Sequence, residues 1–390
     1  MPGPDITRQR LINQGLVRPT LKTAGEVVAR LGAVQAQDYP ASKWGIAQRT
    51  SGATDTEIEQ EIDDGTIVRT HVLRPTWHFV AAADITWMLA LTAPRVHAAN
   101  AYWYRWLEVD DAVARRGRTV FAKALNDGKH LTRAELGAAL AKARIQVANP
   151  VRLACIVMRA ELDGLICSGA RRGKQFTYAL LEERVARPTA LERDAALFEL
   201  ARRYFTTRGP ATVDDFAWWS GLTKADARRG VEAAAAHLQH ESIEGRSYWF
   251  PAAERSVRIS SPRVHLLPNF DEYFIGLKDR SALAARLKSS GVKPKTTLLS
   301  GYFLAVDGQM VGGWRRTIVG RTVVVEPKPL IPLNEAERRA VGVAARKFGR
   351  FLELPVEIRW RSASRDRSVP VARVRQKPPT PQLARPPESK

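Results

Sequence analysis

Residues 32 to 42 read GAVQAQDYPAS, and within them Gln35 and Gln37 stand two apart across Ala36. Side chains two apart in an extended segment point the same way, so the two amides share one face while Ala36 turns to the other. An amide cannot exchange a proton near neutral pH. What it offers is a carbonyl acceptor and an NH2 donor pair, so the pair can either cap backbone groups at a helix–loop junction or hold a ligand or water. Taken alone, the stretch favours capping.

The elements that must position these amides can be read from caps and periodicity. A capping box at Thr23 and Glu26 opens a helix just before them, a short helix follows QAQDYP, and Thr54 or Asp55 can cap another that Gly65 ends. The pattern then changes period. TIVRTHVL and TWHFVA are β-rich runs divided by Arg74-Pro75, which predicts a hairpin. Several short helices and a hairpin are the layout of a winged helix-turn-helix unit.

That layout recurs twice. Helices from about Asp84 to Ala160, one capped by Thr132 with Glu135 at the box position, lead to the strand-turn-strand GLICSGARRGKQFTYAL. Three more helices, with Thr212 and Thr223 as caps, lead to a strand pair around HLQHESI and RSYWF. Beyond Arg263 the chain is strand-rich, with Asp307-Gly308 a hairpin turn and one helix, NEAERRAVGVAARKFGRFL. The expected fold is therefore α+β: tandem winged helix-turn-helix units followed by a small β-barrel-like C-terminal domain. The expected divisions are residues 5–105, 106–190, 191–262 and 263–360, with 361–390 a disordered, basic, Pro-rich tail.

The chain has 390 residues, and 61 Lys plus Arg against 40 Asp plus Glu give a net charge of +21. Such an excess favours polyanions, nucleic acid first, although solubility alone is a competing account. Two cysteines and seven histidines show no metal-ligand spacing, so neither a metal centre nor a cofactor is expected, and a reducing compartment fits. With no apolar run of membrane-spanning length and no signal-like N-terminus, a cytoplasmic, nucleoid-associated protein without membrane contact is expected. Three different units along one chain suit a clamp around duplex DNA, hence a monomer.

Several basic residues are candidates for DNA contact. The hairpin tip at Ala170–Lys174 carries Arg171, Arg172 and Lys174 with no core to serve. Arg69 and Arg74 in the first hairpin, and Arg315 and Arg316 in GGWRR, could reach the backbone or pair with acids. His71 and His78 fit structural histidines at least as well as DNA contacts. Trp77, Phe79, Trp218 and Trp219 fit core, and Asp271 and Glu272 fit partners for arginines.

The ordered blocks RLGAVQAQD, RTHVLRPTWHFVAAADITWMLALTAPR, DDFAWWSGL, LLPNFDEYFIGLKDR and GGWRR resemble the AlkZ-like winged-helix DNA glycosylases, over roughly Ile6 to Trp360. That family's catalytic signature is Gln-Φ-Gln in one branch and Gln-Φ-Asp in another. Gln35-Ala36-Gln37 matches the first, with a smaller central residue than usual. Asp38 sits one place too late for the second.

The resemblance implies a monofunctional glycosylase, with Gln35 and Gln37 as the catalytic pair, acting on double-stranded DNA that carries alkylated purines or interstrand crosslinks. A purine alkylated at N7 is already cationic and leaves without a strong general acid. What remains for the protein is to orient water at C1′ and stabilise an oxocarbenium-like sugar. Neutral lesions such as uracil would be poor substrates. A crosslinked base cannot be flipped out without dragging its partner strand, so a channel reaching the lesion in the duplex is expected. A non-catalytic DNA-binding or regulatory protein on the same scaffold, and a drug-binding self-resistance protein, are the competing readings.

Overall fold

The computed structural model describes residues 5–186, 188–252, 261–292 and 301–360; the expected tail at 361–390 lies outside the described residues. The N-terminal helices start where polar side chains satisfy their first N–H groups. Asp5 caps α1 (Ile6–Asn13), and a complete Thr23–Glu26 capping box opens α2 (Ala24–Leu31). The chain then extends into β1 (Val34–Gln35). Asp38 caps α3 (Tyr39–Ala47), and a second box, Thr54 with Glu57, opens α4 (Asp55–Asp63).

The first hairpin forms as expected from β2 (Ile67–His71) and β3 (Trp77–Ala81). β1 adds to the free edge of β3, with Gln35 opposite His78, so the amide pair is held by a sheet edge.

A long helix, α5 (Ile85–Trp106), leads into α6 (Asp111–Leu125), β4 (Leu131–Thr132), α7 (Arg133–Lys142) and α8 (Pro150–Leu162). The second hairpin, β5 (Ile166–Arg172) with β6 (Gln175–Leu180), joins β4 in the order β4-β6-β5. This part has a core of its own, centred on Phe121, Leu136, Leu140 and Ile156. After α9 (Leu181–Arg184) come α10 (Arg193–Arg208), α11 (Val213–Ser220) and α12 (Lys224–Ala234), then the third hairpin, β7 (Leu238–Ile243) with β8 (Arg246–Pro251).

The C-terminal part comprises β9 (Val264–Leu267), α13 (Glu272–Ile275), α14 (Ala285–Ser289), β10 (Phe303–Val306), β11 (Gln309–Val319), β12 (Thr322–Pro329), α15 (Glu335–Leu352) and β13 (Val356–Ile358). Its sheet runs β13-β12-β11-β10-β9, and Asp307-Gly308, both at positive φ, make the tight turn between β10 and β11. The two edges do not pair with each other. Instead α15 packs on both β9 and β13, so a helix takes the place of a closing wall.

The architecture is a mixed α+β fold in which one continuous core joins the first, third and C-terminal parts. Trp44 of α3 is buried against Phe348 and Phe351 of α15, and its Nε1 donates to the Leu266 carbonyl at 2.6 Å. Removing such a side chain costs about 3–5 kcal/mol. The segment that follows the two glutamines is therefore anchored to the far end of the chain. Among the described residues, no helix is long and apolar enough to cross a membrane.

Candidate active site

Ala36 is fully buried, clamped by its N–H on the Trp77 carbonyl at 2.7 Å and by its own carbonyl, which accepts from Arg69 Nε at 3.1 Å. β1 ends at Gln35, so Ala36 and Gln37 follow it in coil and a bend rather than in the extended strand that alternation assumes.

Gln35 is only 4% exposed. Its N–H donates to Glu272 Oε1 at 2.9 Å, its backbone carbonyl accepts from Ser42 Oγ at 2.8 Å, and its side-chain Oε1 accepts from an Arg74 terminal nitrogen at 3.0 Å. The guanidinium dictates the amide's orientation, leaving Nε2 without a protein partner. Gln37 is half-buried. Its Oε1 accepts only a long bond, 3.4 Å, from Trp77 N–H, and its NH2 has no protein partner. Neither amide is consumed by capping: each keeps an NH2 group, and Gln37 keeps a carbonyl lone pair to offer.

Beneath β1 lies a buried ion pair. Glu272 Oε2 accepts from Arg208 at 2.6 and 3.2 Å and from Trp219 Nε1 at 3.0 Å. Arg208 in turn donates to the carbonyls of Leu31 and Ala33, at 2.8 and 3.0 Å, on the approach to β1. The loop that carries Arg74 is pinned from outside: Gly221, at φ 71°, lets the end of α11 press on the Leu73 carbonyl.

Gln37 opens on a cavity of about 480 Å³ that is also lined by Arg69, Trp77, Thr132, Arg133, Lys174, Phe176 and Tyr178. None of its lining residues is acidic. Arg69 lies over the rings of Trp77 and Phe176, 4.3 and 4.6 Å from their centroids. Burial lowers both Arg69 and Arg74 to about 10, which leaves them charged at neutral pH. Burial likewise holds His78 well below its ordinary value and therefore neutral. Among the described residues, no cluster of three His, Cys, Asp or Glu side chains is placed to hold a metal.

The basic candidates separate spatially. Gln37, Arg69 and Lys174 line one cavity, and Arg74 joins Gln35. Arg171 is turned toward α4, paired with Glu59 at 3.1 Å and lying over Tyr39. Arg172 is exposed, paired with Glu135 at 2.9 Å. Arg315 and Arg316 sit on β11 in the C-terminal sheet; Arg316 covers Tyr302, whose hydroxyl donates to Asp38 at 3.2 Å. Asp38 is thus a helix cap and a tether.

Trp219 is buried as expected, but Trp218 is 43% exposed, beneath Arg74 at 5.8 Å. Adjacent helical positions differ by 100°, so WW cannot place both rings in the core. Sequence reasoning missed Arg133, whose terminal nitrogen donates to the Tyr178 hydroxyl at 3.0 Å, and the depth of Glu272. Arg133 carries no local signal beyond following the cap of α7.

An amide pair beside a basic cavity can hold water next to a polyanion. Residues 28–351 match the family model described as DNA glycosylase AlkZ-like, and the chain belongs to that family. A curated relative, the interstrand DNA cross-link repair glycosylase of Streptomyces sahachiroi, is 27% identical over 369 residues, covering 90% of this chain and 97% of the relative. The solved structure of Streptomyces sahachiroi DNA glycosylase AlkZ superposes with a TM-score of 0.73 at 25% identity, over 91% of this chain and 98% of that one.

Proposed function

We propose that this glycosylase hydrolyses the N-glycosidic bond of cationic N7-alkylated purines in duplex DNA, including those joined in interstrand crosslinks. Gln37 orients the water through its free carbonyl lone pair. Gln35, its oxygen held by Arg74, presents NH2 hydrogens to the sugar or to the same water. The observation that carries this reading is that both amides, two residues apart, keep hydrogen-bonding capacity while Gln37 opens on a cavity lined by cations and rings. The cavity beside Gln37 supplies no carboxylate as a proton donor, and a base that is already positively charged needs none.

In this reading the three helix-plus-hairpin parts are winged-helix units within residues 5–105, 106–190 and 191–262, and a barrel-like sheet occupies 263–360. Together they wrap the duplex as a monomer in the cytoplasm. Arg172 at the hairpin tip, and the β11 arginines 315 and 316, contact backbone phosphates outside the cavity that Lys174 lines. Arg171 and Arg74 hold Tyr39 and Gln35, respectively.

The test is incubation of the purified protein with an N7-methylguanine duplex and with a nitrogen-mustard crosslink, followed by measurement of abasic product. Wild type releases base from both, and the Gln35→Ala, Gln37→Ala double variant loses release on the order of 100-fold, as misplaced reactants do. Product from neither substrate, or undiminished product from the variant, refutes the reading.

A further inference from the structure

The cavity beside Gln37 contains an unanswered charge. Arg69 is 8% exposed, and among the described residues its only hydrogen bond from the guanidinium is Nε to the Ala36 carbonyl; no carboxylate pairs with it. Its two terminal nitrogens have no protein partner, yet Arg69 lines the cavity. The nearby buried acid, Glu161, is engaged by His71 Nδ1 at 2.6 Å. Among the described residues Arg133 hydrogen-bonds only the Tyr178 hydroxyl and forms no ion pair, and Lys174 has no hydrogen-bond or ion-pair partner. The first turn of α7, through Thr132, Arg133 and Ala134, adds the positive end of a ten-residue helix to the same wall.

Folded proteins rarely bury a cation without an anion, because desolvation is only partly offset by ring faces. Here the guanidinium lies over the rings of both Trp77 and Phe176, and its Nε is tied to the Ala36 carbonyl. A planar fork held in advance suits a bidentate oxyanion such as a phosphodiester. The cationic purine itself is excluded from this space, since three like charges would meet it.

We propose that the Arg69–Arg133–Lys174 cavity is a phosphate subsite that takes one backbone phosphodiester flanking the lesion. This inference rests on the reading that Gln37 lies at the reaction centre. Held there, the phosphate neutralises the cavity and sets the register of the strand against the two glutamines. Its negative charge also lies beside the sugar that becomes cationic as the base leaves.

Binding of the full chain to duplexes carrying a tetrahydrofuran abasic analogue tests this by fluorescence anisotropy. Single neutral methylphosphonates replace, one at a time, the three phosphates on either side of the analogue. In wild type, one position weakens binding roughly tenfold, the loss expected for a charge-assisted contact. In Arg69→Met that same position has no further effect.

Because Arg69→Met alters a buried side chain packed over two rings, Arg133→Gln and Lys174→Gln at the rim carry the same comparison. Each should also lower the slope of log affinity against log salt by roughly 0.9. The proposal is overturned if no methylphosphonate position matters, if its effect is equal in wild type and all three variants, or if the full chain does not bind the duplex. The chemistry is scored separately. Coupling without base release leaves the phosphate site standing and removes the glycosylase reading of the glutamines; base release without coupling does the reverse.

Discussion

Replacing Glu272 with Gln perturbs the site from beneath, through the backbone of Gln35. The carboxylate accepts four hydrogen bonds: Gln35 N–H on Oε1, and two from Arg208 and one from Trp219 on Oε2. An amide has one oxygen, so its NH2 must face either the Gln35 N–H or the Arg208 and Trp219 donors, and both choices oppose donor to donor. Arg208, fully buried, would keep only the neutral oxygens of Leu31, Ala33 and Thr207. Breaking a buried pair from one side costs about 3–5 kcal/mol, a large share of the roughly 5–15 kcal/mol that holds a domain folded. Because Arg208 also fixes the carbonyls just ahead of β1, the glutamines should shift even where the variant is folded, and release of 7-methylguanine should fall on the order of 100-fold. Urea unfolding at constant slope measures the first effect, and single-turnover release well below the unfolding midpoint measures the second. Arg208→Met tests the charge from the other side: the double variant should be less destabilised than the sum of the singles. A Glu272→Gln loss under about 1 kcal/mol with undiminished release would refute the positioning role.

Arg74→Met should free the Gln35 amide to rotate, and single-turnover release should fall roughly tenfold, the worth of a charged hydrogen bond, with little change in urea stability because Arg74 is half-buried. Gly221→Ala meets a left-handed backbone and places Cβ 2.1 Å from the Leu73 oxygen, so a loss of more than about 2 kcal/mol and reduced release are expected. Gly15→Ala, at the same φ with open space around it, should show the backbone cost alone in the same melts. Burial pushes His265 down to about 4 from an unfolded value near 6.5. Its neutral form is therefore the native one, and its contribution is full above about pH 6.5 and lost as pH falls toward 4, up to about 3 kcal/mol. Urea titrations across that window should show the loss, and His265→Asn should flatten it.

Local features of the fold were legible because they have local causes. The capping boxes at Thr23 and Thr132, the caps at Thr54 and Thr212, the three hairpins and the Asp307-Gly308 turn all depend on residues within a few positions of one another. What lay beyond reach was long-range. Glu272 meets Gln35 across 237 residues, and Arg74 meets it across 39. No period or spacing encodes such a meeting. Arg69 and Arg74 stand five apart in one hairpin and read alike, yet one enters the cavity and the other clamps an amide. Only the docking of the second hairpin, with Phe176, against the first decides which.

The charge around the glutamines bears on which substrates can react. A neutral base would depart as an anion and would need a proton as its bond to the sugar stretches. Close by, His78 is held neutral by burial, and the buried Glu161 is committed to His71. Arg69 and Arg74, even lowered to about 10, hold their protons too firmly at neutral pH to be efficient acids. An N7-alkylated purine departs neutral and needs none of them. Release of 7-methylguanine should therefore show no acid-side ionisation in the single-turnover rate between about pH 6 and 8, while uracil duplexes should yield no abasic product above the uncatalysed rate. A bell-shaped profile across that range, or release of uracil comparable to 7-methylguanine, would require a proton donor and would count against water placement by amides as the source of the rate.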